Sequence, residues 1–121
     1  MARVGKLVEV SEEGLVFRLP AKEKRQSEPR SSQRMGWEVI ERVEVFKRDL
    51  FSVDLICVQF TCYHGEEIEI DEEDGHWERV IGMLPECLPG CLDWRTWFSK
   101  VAFPAFETNR RVVFERSAQK N

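Results

Sequence analysis

Cysteine and histidine side chains lie close together at two places in the sequence, and both types can bind zinc or act as nucleophile and base. Cys62 and His64 form a C-x-H pair, Cys87 and Cys91 form a C-x3-C pair, and His76 lies between the pairs. Zinc sites in short chains usually show C-x2-C or H-x3-H pairs, which place two ligands on one turn. We therefore predict no metal site and no cofactor, and we expect the cysteines to be buried free thiols.

Known catalytic motifs do not occur in the chain. There is no Gly-rich phosphate loop and no G-x-S-x-G nucleophile elbow. A cysteine–histidine pair formed in space, by Cys62 or Cys91 with His64 or His76, stays open as an alternative. The sequence favours a protein that is not an enzyme, and it indicates no catalytic residue.

Seven carboxylates fall within the nine residues from Glu66 to Asp74. Hard cations bind several such oxygens from one loop, so a calcium site is one interpretation. The spacing does not fit an EF-hand, because Gly75 and Gly82 are the fifth and twelfth residues counted from Asp71. The pattern from Glu67 to Asp71 instead predicts a strand with its isoleucines facing the core and its carboxylates facing water.

Basic residues dominate the segment from residue 21 to 36. Its first fourteen residues contain no large apolar side chain and carry five basic against two acidic groups. Such a segment cannot offset its ordering entropy, so we predict a long mobile loop. It is either a solvated connection or a site for a phosphate-bearing ligand or an anionic lipid surface. The anion-binding residues would be Lys22, Lys24, Arg25, Arg30 and Arg34.

Five large aromatic residues fall within the thirteen residues from Trp94 to Phe106. Core packing is the favoured interpretation of their helical spacing. The alternative is an exposed patch that binds a protein partner or a second copy of the chain, because aromatic residues dominate interface energetics. The residues of that patch would be Trp94, Trp97, Phe103 and Phe106.

The segment from Val53 to Phe60 is almost entirely apolar and rich in β-branched and aromatic residues. This composition predicts a strand at the centre of a sheet, covered on both faces by apolar layers. A core strand does not need the charged residues at its margin. These residues, a candidate partner-binding edge or salt-bridged turn, are Lys47, Arg48, Asp49 and Asp54.

Length and composition indicate one domain, over residues 1–116, followed by a tail over 117–121. The chain has 121 residues, of which 42% are hydrophobic and 33% charged, and a net charge of −4. This mild acidity argues against nucleic-acid binding, which usually requires a basic surface. No apolar run approaches the roughly 18 residues of a membrane span, and the N-terminus lacks a signal peptide, so a cytoplasmic location is expected.

Periodicity predicts the remaining elements. A hairpin is expected over residues 4–19, a turn or bulge at 37–41, a strand at about 42–47 and a last strand at 111–116. Asp74 is expected to cap a helix that begins near Gly75 and ends or kinks at Leu84, because Pro85 follows. Asp93 should cap a second, aromatic helix, which ends before Pro104.

This order of elements, with the motif Trp37-x-x-Ile40-x-x-Val43-x-Val45 before the central strand, resembles the bacterial pleckstrin-homology-like (PH-like) domains. The resemblance covers about residues 4–88. It implies an α+β fold with an antiparallel sheet or half-barrel, one end of which is plugged by the amphipathic helix. The long basic loop, the second helix and the final strand depart from that pattern. The resemblance also implies a binding scaffold, whose ligand does not follow from the fold.

The leading hypothesis is a non-catalytic interaction or adaptor module that binds a protein partner through the aromatic patch and the charged edge, with self-association left open. The alternative is a binding domain for a phosphate-bearing ligand or an anionic lipid, using the basic loop together with Lys47 and Arg48. Such electrostatic binding must weaken with salt.

Overall fold

The computed structural model of the protein describes residues 3–18, 32–50, 53–103 and 109–116. Several predicted features therefore lie outside the described residues. They are most of the basic loop, with Lys22, Lys24, Arg25 and Arg30, the aromatic Phe106, and the tail.

The described residues form eight strands, one 3-10 turn and two helices. In chain order these are β1 (Arg3–Val4), β2 (Lys6–Ser11), β3 (Gly14–Arg18), β4 (Ser32–Gly36), the 3-10 turn (Trp37–Val39), β5 (Ile40–Asp49), β6 (Asp54–Cys62), β7 (Glu67–Asp71), α1 (Trp77–Cys87), α2 (Trp94–Ala102) and β8 (Arg111–Glu115).

Two sheets organise these elements. One contains β2, β3 and β4, and the other has the order β1-β7-β6-β5-β8. All pairings are antiparallel except the short parallel contact between β1 and β7. The α+β class is confirmed, and the described strands do not close into a barrel.

The core lies between the two sheets and under α1 and α2. Phe17 of β3 and Phe60 of β6 are both fully buried, and their ring centroids are 6.1 Å apart. Ile56 and Val58 belong to the same core, so β6 is the central strand that the sequence predicts. Cys57, on the opposite face of β6, is also buried but lies outside this core cluster.

The first turn of α1 and the turn before it form hydrogen bonds with the free edge of β2. The side chain of Asp74 accepts a hydrogen bond from the backbone N–H of Leu7 at 2.9 Å, and Arg79 Nε donates to the carbonyl oxygen of Val10 at 3.0 Å. These bonds satisfy backbone groups that an open edge strand leaves unpaired. They also fix the start of α1 against the smaller sheet.

Three details of the predicted elements are wrong. Residues 32–36 form β4 instead of a loop, because Met35 is buried and this segment pairs with β3. The N-cap of α1 is His76 and not Asp74, and the helix runs from Trp77 through Pro85 to Cys87, so it does not end at Leu84. Pro85 removes only its own N–H bond, whereas Leu88 N still donates to the carbonyl oxygen of Leu84 at 2.9 Å and the side chain of Leu88 is fully buried. The predicted cap of α2 is confirmed, since Asp93 accepts a hydrogen bond from Arg95 N.

Candidate functional site

The charged margin of β6 and the C-terminal end of α2 meet inside the protein. Lys47 is only 3% exposed, and its Nζ donates to the carbonyl oxygen of Ala102 at 2.8 Å. The same nitrogen lies 3.3 Å from Asp54 Oδ2. A cation is stabilised beside the carbonyl groups at a helix C-terminus. Lys47 and Asp54 thus form a buried link between the sheet and α2, while Asp49 is described only through its backbone pairing with Asp54.

Arg48 lies on the outer face of the larger sheet. Its Nη2 donates to both carboxylate oxygens of Glu69, at 2.7 and 2.8 Å, and its guanidinium lies 5.6 Å from the ring centroid of Phe46. Glu69 is therefore buried, which corrects the prediction that its carboxylate faces water. This outer face combines the Arg48–Glu69 and Arg110–Glu44 pairs with the buried side chains of Phe46, Leu55 and Cys57.

Arg34 is the described member of the predicted anion-binding set. It is exposed, and its guanidinium lies 3.7 Å from the carboxylate of Glu13, which is exposed as well. A surface pair of this kind contributes little to stability. The two other cations assigned to that hypothesis, Lys47 and Arg48, also lie beside carboxylates.

The predicted aromatic patch is divided by the helix that carries it. Trp97 is 1% exposed and belongs to the core, whereas Trp94 and Phe103 are 38% and 71% exposed. Trp94 begins α2 and Phe103 follows its last residue. Nine helical residues rise about 13 Å, so these two exposed rings lie at opposite ends of the helix.

A groove of about 640 Å³ lies between α1 and α2, and we call it the α1–α2 groove. Trp77 and Ile81 of α1 and Trp97 of α2 are its buried apolar lining, and Trp94 and Phe98 complete it. The rings of Trp94 and Phe98 meet edge to face at a centroid distance of 6.1 Å. Of the predicted patch, the groove thus includes Trp94 and Trp97.

Three carboxylates also line the α1–α2 groove, those of Glu72, Asp74 and Glu78, and the lining contains no lysine or arginine from residues 3–18, 32–50, 53–103 and 109–116. Glu72 Oε1 accepts a hydrogen bond from Ile56 N at 3.0 Å, and Asp74 is held by Leu7 N and by the backbone two residues further on. Within the described part of the chain, Glu78 makes no ion pair. The result is an aromatic groove with a negative potential, which favours a cationic ligand.

A smaller cavity of about 280 Å³ lies on the other side of α2. Its lining includes Lys100, Arg110 and Arg111. Arg110 donates to Glu44 Oε2 at 2.7 Å and lies over the ring of Phe46 at 4.1 Å, so this cation is held by its own chain. Helix α2 therefore separates an acidic aromatic groove from a basic cavity.

The four cysteines are free thiols, of which Cys57, Cys62 and Cys91 are buried and Cys87 is partly exposed. Desolvation raises the pKa of Cys57 and Cys62 to about 11 and that of Cys91 to about 12, and it also raises the pKa of Cys87. These thiols are protonated at neutral pH, whereas nucleophilic chemistry needs the thiolate. Among the described residues, no three His, Cys, Asp or Glu side chains converge in a way that could hold a metal ion.

None of the helices in the described part of the chain has both the length and the apolar composition to cross a bilayer. Comparison of the whole chain with protein-family models, with curated proteins and with solved structures gives no match.

Proposed function

We propose that the protein is a non-catalytic interaction module that binds a protein partner in the α1–α2 groove. The observation that carries this proposal is the partial exposure of Trp94 beside an apolar lining of Trp77, Ile81 and Phe98. An exposed tryptophan at the mouth of an apolar concavity is typical of binding energy concentrated in a few residues. The volume of the groove, about 640 Å³, suits several side chains of a partner segment.

The proposal changes the role of the charged edge. Lys47 and Asp54 hold α2 on the sheet, and Arg48 covers Glu69, so these residues support the surface instead of contacting the partner. The anion-binding alternative remains a proposal that rests on residues outside the described ranges. Its described cations each lie beside a carboxylate, which lowers their availability to a phosphate.

The same proposal includes a PH-like fold and a cytoplasmic location. A small antiparallel sheet facing a larger one, with α1 along the edge of β2, supports a PH-like arrangement. Buried free thiols suit the reducing cytoplasm.

The test is a pulldown. It compares the amount of partner protein retained by variants in which one exposed aromatic residue is replaced by alanine. Trp94→Ala is expected to abolish recovery of a protein that the parent chain retains. The matched control is Tyr63→Ala, because Tyr63 is 69% exposed and is not among the residues lining the groove. Circular dichroism must first show that both variants are folded. Equal recovery by Trp94→Ala and the parent chain would contradict the proposal.

A further inference from the structure

We infer that the α1–α2 groove recognises an arginine side chain on an extended basic segment of a partner protein. This inference rests on the proposed function and specifies its ligand. Glu72, Asp74 and Glu78 place three formal negative charges around the groove, and none of the lining residues that the structure describes is basic. The positive end of the α1 dipole, equivalent to about half a charge, offsets only part of them.

The aromatic lining selects the kind of cation. A guanidinium is planar and weakly hydrated, stacks on aromatic faces, and donates in a fork that matches a carboxylate. The chain already uses this contact, since Arg95 lies 5.1 Å from the ring centroid of Trp94 and Arg110 lies 4.1 Å from that of Phe46. Arg95 itself is not among the described lining residues, although the Trp94 ring that it contacts is.

Two of the three carboxylates, those of Glu72 and Asp74, are preorganised for such a cation. Backbone N–H groups at 2.9 to 3.0 Å fix Glu72 and Asp74, so ligand binding does not need to order them. Glu78 is exposed on the first turn of α1 and is available as a second partner for the guanidinium. One arginine can therefore contact a ring and a carboxylate together.

A peptide segment fits the groove better than an isolated cation. Trp97 lines both this groove and the smaller cavity, and its buried indole Nε1 has no hydrogen-bond partner within the described part of the chain. A buried donor without an acceptor is unfavourable. The volume of the groove also exceeds the needs of one small ion.

The probes are four short peptides, acetyl-Gly-Xaa-Xaa-Gly-amide, in which Xaa is arginine, lysine, citrulline or glutamate. Binding is followed by calorimetry and by the tryptophan indole N–H signals in ¹H–¹⁵N spectra. The arginine peptide is expected to bind saturably and to shift the Trp94 and Trp97 indole signals. Citrulline has nearly the same shape without the charge, and its peptide should bind at least about tenfold more weakly.

Two variants, each of which removes one carboxylate charge from α1, test whether the arginine peptide binds in the groove. Glu78→Gln is expected to weaken binding of the arginine peptide by about tenfold, the loss of one charge-assisted contact. Glu86→Gln is the matched control, because Glu86 is exposed on α1 but does not line the groove. It should leave the affinity within about twofold.

Three results would overturn the inference. The first is equal binding of the arginine and citrulline peptides, and the second is no saturable binding at millimolar concentration. The third is a concentration-dependent dimer that Glu78→Gln dissociates, which would assign the groove to a second copy of the chain. If Trp94→Ala abolishes recovery of a partner while the arginine peptide fails to bind, the proposed function stands and only the ligand class is wrong.

Discussion

The Lys47 ammonium donates to the carbonyl oxygen of Ala102 at 2.8 Å, across 55 residues of sequence. Through this bond β5 holds the C-terminal end of α2, the helix that forms one wall of the groove. The nearby Asp54 carboxylate, 3.3 Å away, compensates the buried charge. The position of the groove wall therefore depends on a buried ion pair behind it.

Lys47→Met should destabilise the protein by about 3 kcal/mol, because the substitution leaves the Asp54 carboxylate and the Ala102 carbonyl without their shared cation. Urea unfolding measures the loss. The double variant Lys47→Met with Asp54→Asn should recover part of it, since the carboxylate charge is then removed together with the ammonium that it faces. A single variant as stable as the parent chain would show that the pair does not hold α2.

Glu69→Gln tests the outer face of the larger sheet. The Glu69 side chain is 9% exposed and accepts two bonds from Arg48, so the loss of its charge should lower the free energy of unfolding by about 1–2 kcal/mol. The control is Glu115→Gln, whose partner Arg42 lies at 2.9 Å in a more exposed pair. The control should lose less than about 0.5 kcal/mol. Equal effects would mean that burial of Glu69 does not matter.

Gly14 and Gly82 are expected to respond to alanine with opposite signs. Gly14 has φ of +151°, and a Cβ there would collide with the Met35 carbonyl oxygen on the paired strand. Gly14→Ala should cost about 2 kcal/mol or more. Gly82 lies in α1 with open space around it, so Gly82→Ala should gain about 0.5–1 kcal/mol. Thermal melting of the two variants checks both signs.

Thiol reactivity should follow burial. Cys87 is partly exposed, whereas Cys57, Cys62 and Cys91 are buried. With a disulfide reagent at pH 8, Cys87 is expected to react first and the other three only as the protein opens. Peptide mapping by mass spectrometry identifies the modified residue. Rapid labelling of Cys91 in the folded protein would contradict the structure.

The same burial predicts instability at alkaline pH. Desolvation raises the folded-state pKa of Cys57 and Cys62 to about 11 and of Cys91 to about 12, from an ordinary value of 9.0. Between about pH 9 and 11 the unfolded chain loses thiol protons that the folded chain keeps, so stability falls as the pH rises. Denaturant unfolding across this range should show a shallower fall for Cys62→Ala than for the parent chain. An unchanged slope would mean that Cys62 does not contribute to it.

Local patterns in the sequence were sufficient for much of the fold. The apolar run after Asp54 predicts the central strand, and Asp93 predicts the start of α2, because each signal is contained in a few neighbouring residues. The interpretation of residues 32–36 as loop failed because Met35 is the one large apolar residue in that segment, and its pairing with β3 is a tertiary contact. The prediction that the Glu69 carboxylate faces water failed for a similar reason. The alternation of Glu69 with isoleucines carries no information about Arg48, which lies on a different strand.

The candidate site was only half visible in the sequence. Trp94 stood out by its aromatic neighbours, but Glu72 was interpreted as part of a solvated acidic run and Glu78 was not singled out. The tertiary structure brings these two carboxylates and Trp94 to one groove. The indole donor of Trp97 has no sequence signal, because its lack of a partner depends on what surrounds it.

Strand β8 has a consequence for how the molecule acquires its structure. It adds to the edge of β5 and brings together Arg42 and Glu115, which are 73 residues apart in the chain. Closing so long a loop is slow compared with forming the local β5–β6 hairpin. We therefore expect β8 to dock late, after the hairpin has already assembled, and we expect substitutions in β8 to speed unfolding more than they slow folding.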